Sequence, residues 1–302
     1  MTALTDRPTV PRPGRRVPHR GPARRFPPTV RRGLDYLVTG TVTLLFASPI
    51  LYMFIGSLQP DEQVLGGLSG FAPGDLSLDN YADVFRTFDD PSTGYFLDFL
   101  ATSVIVTGVV VLGGLVVNSM AAYALARLRW RGRDAVLILV LALTVLPFEA
   151  IAVPLFYLLN DFRNTLAVQA VPLVANAFSV FLFYSFFLKL PKEIEEAGRM
   201  DGAGPLRIFV RIIVPMSKPV FATVAILSFL TQWGMFLWPV LMVSDPAVRP
   251  LPLAISVYQG QPPFQWGDIM AFGVMMVLPM LAVFLVFQRW FVRSVASSGI
   301  KG

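Results

Sequence analysis

The chain has 302 residues, of which 55% are hydrophobic and 15% charged, with a net charge of +6 and a mean hydropathy of +0.62. That balance is too apolar for an ordinary soluble domain and places the chain in a lipid bilayer. It has no Cys, and its one His, His19, lies in a basic N-terminal stretch. Thiolate catalysis, His-based acid–base work and a His/Cys metal site are therefore excluded from the folded part, and no metal residues are assigned. No Lys follows a Gly, so the chain has no P-loop with which to bind ATP itself.

Residues 1–33 carry nine Arg and seven Pro with almost no apolar periodicity. Such a stretch cannot bury enough surface to offset the entropy of ordering it, so it is expected to be a disordered tail. Binding to anionic headgroups is its functional alternative. Six apolar runs follow, at about 34–58, 99–126, 135–159, 168–188, 220–243 and 269–291. Each is long enough to cross the hydrocarbon core as a helix, which takes roughly 20 residues, and too long for a barrel strand. The expected fold class is all-α integral membrane with six transmembrane helices, residues 34–292 forming one membrane domain. The first run is too long for the h-region of a cleaved signal peptide and is expected to remain as an anchor.

Orientation follows from the basic residues. The tail, the loop 127–134, the loop 189–219 and the end from 289 hold 22 of the 25 Lys and Arg, leaving Arg86, Arg163 and Arg249 elsewhere. Basic residues near span ends are retained in the cytoplasm, so both termini are expected to be cytoplasmic. The positive charge is then an orientation device and no sign of a nucleic-acid partner. The first external loop, 59–98, is acidic and rich in Gly and Pro, which predicts turns with one helix near 79–88.

Within the spans, Glu149 sits between Pro147 and Pro154, well inside the third run. An ionisable side chain there needs water or a partner. Lining a solute pathway is one reading; a neutral, hydrogen-bonded Glu or a carboxylate reaching the interface is the other. Asn118, Asn176, Gln232 and Trp233 are further pathway candidates, with interhelical bridging as their alternative. Gly108, Gly113 and Gly114 point to close helix packing.

The loop 189–219 is amphiphilic where its neighbours are not. Pro191 ends the fourth span, Glu193, Glu195 and Glu196 open a short helix, Gly202 and Gly204 break it, and Pro205 can open a second. Phe209, Ile212 and Ile213 share one face of that second helix, Arg207 and Arg211 another. Glu196-Ala197-Gly198, then Gly202, then Ile212-Ile213-Val214-Pro215 after nine residues resembles the EAA loop of importer permeases of the ATP-binding-cassette superfamily. Gly198 stands where a second Ala is usual and Val214 where Leu is usual. The adjoining Asp201-Gly202-Ala203 has the form typical of carbohydrate importers. The resemblance implies a type I importer permease fold in which Glu196, Ala197, Gly198, Asp201, Gly202 and Ala203 contact a partner ATPase.

Two further stretches resemble the second permease of the maltose-transporter type. Trp266-Gly267-Asp268 precedes the last span, and the chain ends in a small-residue tail, 293–302, finishing Gly299-Ile300-Lys301-Gly302. The resemblance implies that this cytoplasmic tail reaches the ATPase dimer. It also implies that Tyr258, Gln259, Gln261, Phe264 and Trp266 form a loop entering an extracytoplasmic solute-binding protein. The implied partners are a second, homologous permease, an ATPase dimer holding ATP and Mg, and the binding protein; the implied solute is a sugar or sugar derivative, and the chain is no enzyme. Two other classes stay open on the residues alone: a gradient-driven transporter working through Glu149, and a membrane-embedded enzyme, for which the lack of His and Cys leaves little material.

Overall fold

The computed structural model describes residues 28–66, 76–259 and 263–299, and these are helical almost throughout. The chain divides into two compact units, Met1–Pro49 and Ile50–Gly302. Helix α1 (Pro28–Gly56), most of which belongs to the first unit, begins six residues before the expected start at 34, so residues 28–33 are helical rather than a disordered tail. Pro28 opens the helix where its missing N–H has no intrahelical bond to make. Leu34, Tyr36, Leu37, Leu44, Leu45 and Phe46 are all exposed, an apolar surface that awaits lipid or protein cover.

The second unit continues from the end of α1 through α2 (Asp61–Val64) and α3 (Asp79–Thr87), the latter where one helix is expected in the first loop. A two-residue hairpin, β1 (Asp89–Asp90) with β2 (Gly94–Tyr95), leads into α4 (Phe96–Arg127). Then come α5 (Arg133–Leu143), α6 (Phe148–Leu159), α7 (Leu166–Val174), α8 (Ala177–Phe187), α9 (Lys192–Met200) and α10 (Pro205–Ile208). A π-helical turn, Phe209–Ile213, joins α10 to α11 (Val214–Met216). The remainder is α12 (Lys218–Trp233), α13 (Leu237–Met242), α14 (Leu251–Ala254), α15 (Ser256–Gln259) and α16 (Trp266–Gly299).

Four helical stretches are long and apolar enough to cross a membrane, and six if two sharply bent pairs each count as one span. The third run, expected as a single helix, is broken: α5 and the helix from Phe148 meet at 105°. Pro147 disfavours helical geometry at Leu146 and occupies the N-cap of α6. The fifth run breaks after Trp233, and α13 resumes at Leu237. The last run, expected to end at 291 ahead of a separate tail, continues as one helix to Gly299.

α4 is the central helix, packed on α7, α8 and α12. Its contact with the α7–α8 break explains three sequence features. A Cβ on Gly114 would lie 3.2 Å from the Val174 carbonyl oxygen, and one on Gly113 would lie 3.3 Å from the Val174 side chain, so these glycines admit the neighbouring helix; Gly108 has open space and serves no such contact. Asn118 is 2% exposed, and its Nδ2 donates to Val174 O at 3.0 Å while its Oδ1 accepts from Asn176 N at 2.9 Å. Asn176 in turn caps α8 by accepting from Ser179 N at 2.8 Å. Asn118→Ala would strand a buried N–H and a buried carbonyl at the break, a loss of about 1 to 3 kcal/mol. The expected outcome is a lower unfolding temperature of the purified chain in detergent, with Asn118→Ser, which keeps a hydroxyl, falling less.

Candidate functional site

The loop 189–219 folds into a helical pair at one end of the bundle. Pro191 caps α9, and Glu193 and Glu195 lie in its first turn, where carboxylates meet the positive end of the helix dipole. Glu196 and Ala197 point outward, whereas Gly198 is buried. A Cβ on Gly198 would lie 3.0 Å from Ile212 Cδ1 and 3.6 Å from Ile208 Cγ1, so α9 sits close against the following segment.

The helix ends in a Schellman turn built by Asp201-Gly202-Ala203. Gly202 has φ +75°, its N–H donates to Arg199 O at 3.0 Å, and Ala203 N–H donates to Gly198 O at 3.0 Å. Pro205 then opens α10 at its first position. Ile208, Phe209 and Ile213 face inward onto Ala122, Tyr123 and Leu125 of α4 and Phe183 and Phe187 of α8, while Arg207 and Arg211 stay exposed. The expected two-faced second helix is thus present, with Ile212 half-buried. Its middle is wound as a π-turn, and the segment meets α12 at 81°.

The exposed side carries more than the motif. Met200 is 88% exposed and Leu206 63% exposed. Beside them an open groove of about 520 Å³ is lined by Gly202, Gly204, Pro205, Leu206, Arg207 and Val210. Exposed apolar side chains around a groove are the kind of surface that proteins use for docking. The sequence reading missed Met200 and Leu206; their signal was large apolar residues on the polar side of an amphipathic helix pair.

It also missed what anchors the site. The Arg127 and Glu195 side chains are 4% and 5% exposed and lie 3.1 Å apart between Nε and Oε1. The contact is ionic, since neither atom has hydrogen-bond alignment. Arg127 Nη2 donates to the Phe187 carbonyl and, at 2.6 Å, to the Leu190 carbonyl. One guanidinium therefore joins the end of α4, the end of α8 and the start of α9.

The other candidates fall elsewhere. Glu149 is exposed in the first turn of α6, next to the break in the third run. Asn118 is buried and bridges the α7–α8 break, whereas Asn176 is exposed and caps α8 through its Oδ1. Trp233 is 3% exposed and donates from Nε1 to Met276 O at 2.9 Å. Gln232 and Trp233 border a cavity of about 10 Å³, the scale of a single water and too small for a solute.

Of the aromatic loop, Tyr258 is 5% exposed, its ring edge-on to Phe88 and Phe272, so it belongs to the core and not to a docking surface. Burial pushes its phenol well above the usual range. Phe264 is exposed, Trp266 half-buried, and their rings are 5.8 Å apart. The Gln259 side chain, Gln261, and Ile300, Lys301 and Gly302 of the tail lie outside the described residues; Gly299 is the last residue of α16. Among the described residues no cluster of acidic, His or Cys side chains could hold a metal.

With this geometry in view, comparison with known proteins is decisive. Residues 114–297 match the family described as binding-protein-dependent transport system inner membrane component. The chain belongs to this family. It is 30% identical over 276 residues to the arabinooligosaccharides transport system permease protein AraQ of Halalkalibacterium halodurans, covering 89% of this chain and 97% of that one. It is 30% identical over 277 residues to the sn-glycerol-3-phosphate transport system permease protein UgpE of Yersinia enterocolitica, covering 89% and 98%. The crystal structure of a bacterial ABC transporter involved in the import of the acidic polysaccharide alginate shares the fold, with a TM-score of 0.74 at 23% identity over 87% of this chain and 97% of that one. The protein is thus an inner membrane permease of a binding-protein-dependent transport system, which removes the ground for a gradient-driven transporter or an embedded enzyme.

The Schellman turn yields a test within this family member. Gly202→Ala places a Cβ in open space but in a left-handed backbone, a cost of about 1 to 2 kcal/mol. Gly204→Ala meets equally open space at φ −71° and carries no such cost. Thermal unfolding is expected to separate the two, with only Gly202→Ala lowering the midpoint.

Proposed function

We propose that this chain is the carbohydrate-uptake type of permease subunit, forming half of a translocation pathway for a polyhydroxylated solute, a sugar or sugar derivative. Its relatives' named solutes, an arabinooligosaccharide and a glycerol phosphate, share closely spaced hydroxyls, which supports this class. The observation that carries the reading is the α9–α10 surface: Glu196, Ala197, Asp201 and Gly202 exposed beside Met200, Leu206 and an open groove, on a base fixed to α4 and α8.

In this reading the chain makes six crossings, each bent pair being one, with both termini cytoplasmic. The loop 189–219 docks on an ATPase subunit, a second permease completes the pathway, and a solute-binding protein meets the opposite face near Phe264 and Trp266. ATP and Mg are bound by the ATPase alone; this subunit has no catalytic residue. Closure of the ATPase dimer drives α9 and α10 inward and rocks the bundle between its two openings.

The test is isolation of the complex from solubilised membranes. Wild type is expected to bring down an ATPase and a second permease, and Glu196→Lys with Gly202→Asp to lose the ATPase while keeping the permease. Proteoliposomes of the wild-type complex with its binding protein are expected to take up labelled arabinooligosaccharide or glycerol 3-phosphate only with ATP inside. An ATPase-free preparation that still transports would overturn the reading.

A further inference from the structure

Whatever docks at α9 can do work on the membrane helices only through rigid contacts, and α9 has few. It packs on α10 through Gly198, and its outward face is free. Its one buried side chain is that of Glu195, which reaches back to Arg127. Arg127 is the last residue of α4, and the same guanidinium holds the carbonyls of Phe187 and Leu190, the stretch that leads from α8 into α9.

We infer that Arg127 is a positioning residue that locks α9 to the ends of α4 and α8, so that the three move as one body when the docking surface is driven. This rests on the reading of α9 as the coupling helix, and three features of the site argue for it. The ion pair is almost fully enclosed, so solvent neither screens it nor competes for it. Its geometry is over-determined, because one planar group donates to two carbonyls at the end of α8 while facing a carboxylate on α9; a Lys ammonium could not span all three acceptors. The adjoining contact of the Tyr123 and Phe209 rings, 5.2 Å apart, holds the π-turn to the same end of α4, so the second half of the loop is carried along. Nine residues back along α4 from Arg127, the Asn118 side chain closes the α7–α8 break. A displacement of α9 is thereby delivered along α4 to the middle of the bundle.

The chain has no native Cys, so spin labels can be placed at will. Glu193→Cys on α9 and Met120→Cys on α4 are both exposed positions. The labelled complex, purified with its ATPase, would be measured by pulsed electron resonance without nucleotide and after trapping with ATP and vanadate. With Arg127 intact, the distance between labels is expected to be narrow and equal in both states. Arg127→Met is expected to broaden it at least twofold, Arg127→Lys to broaden it less, and the exchanged pair Arg127→Glu with Glu195→Arg to recover part of the width.

A purely stabilising role would lower the yield of complex but leave the surviving molecules with a narrow distance, which overturns the inference. So does a shift of about one helical turn, ~5 Å, between nucleotide states when Arg127 is intact. Should Arg127→Met fail to assemble, Arg127→Lys decides the matter on the same criterion. Failure of the coupling reading itself is distinct: the ATPase would stay bound in Glu196→Lys with Gly202→Asp.

Discussion

A buried charge must be paired or it will not stay buried, and the water-facing end of this protein is organised around one such pair. Arg127 and Glu195 are 68 positions apart and are brought together by the packing of α4 on α8. Removing one partner from such a pair typically costs about 3 to 5 kcal/mol, because the other charge is left without compensation. The carbonyls of Phe187, the last residue of α8, and of Leu190 just beyond it are also tied in by the same guanidinium. The amphiphilic loop is therefore no independent module laid under the membrane. It is an extension of the two helices that flank it.

The membrane part is built from interrupted helices, and several of the interruptions are closed by polar side chains. At the α7–α8 break the amide of Asn118 takes over one carbonyl and one N–H. At the end of α13, Asn164, in the left-handed region at φ 59°, accepts from Ser244 N at 2.7 Å and Asp245 N at 3.0 Å. The connection into α14 is fixed by Ser103 Oγ, which accepts from Leu251 N at 2.8 Å, and by Gln169, which donates to Val248 O at 2.9 Å. Irregular backbone at membrane depth is sustainable only when its polar groups are satisfied by protein or water. Asn118 is spent on that task, and its amide is therefore a structural bridge between helices.

Local features were legible in the sequence for local reasons. Pro191, Gly202 and Pro205 act on their own backbone, so the limits of α9 and the start of α10 could be read from residue type. The apolar runs revealed where helices lie, since burial in lipid depends on composition alone. Chain direction did not follow, because a hydropathy window averages over a bend, and Leu143 to Phe148 is apolar on both sides of a sharp turn. Nor could residue type reveal partners far along the chain: Tyr258 reads as a surface aromatic until α3 and α16 enclose it, and Glu195 reads as one more carboxylate in a helix's first turn. Glu149 shows the same limit: the apolar run around it is two helices, and the residue begins the second.

The length of α16 has a geometric corollary. At 1.5 Å per residue, 34 residues make a rod of about 51 Å, against a hydrocarbon core of about 30 Å. Tilt alone cannot absorb the difference, because fitting such a rod within the slab would take an inclination beyond the range of about 0 to 40° that spanning helices adopt. Part of the helix must therefore protrude as a stiff post into water. Pro279 lies between the core residues Ala271 and Phe272 and the far end of the helix, so the direction in which that post leaves the lipid is set where the proline removes a backbone bond.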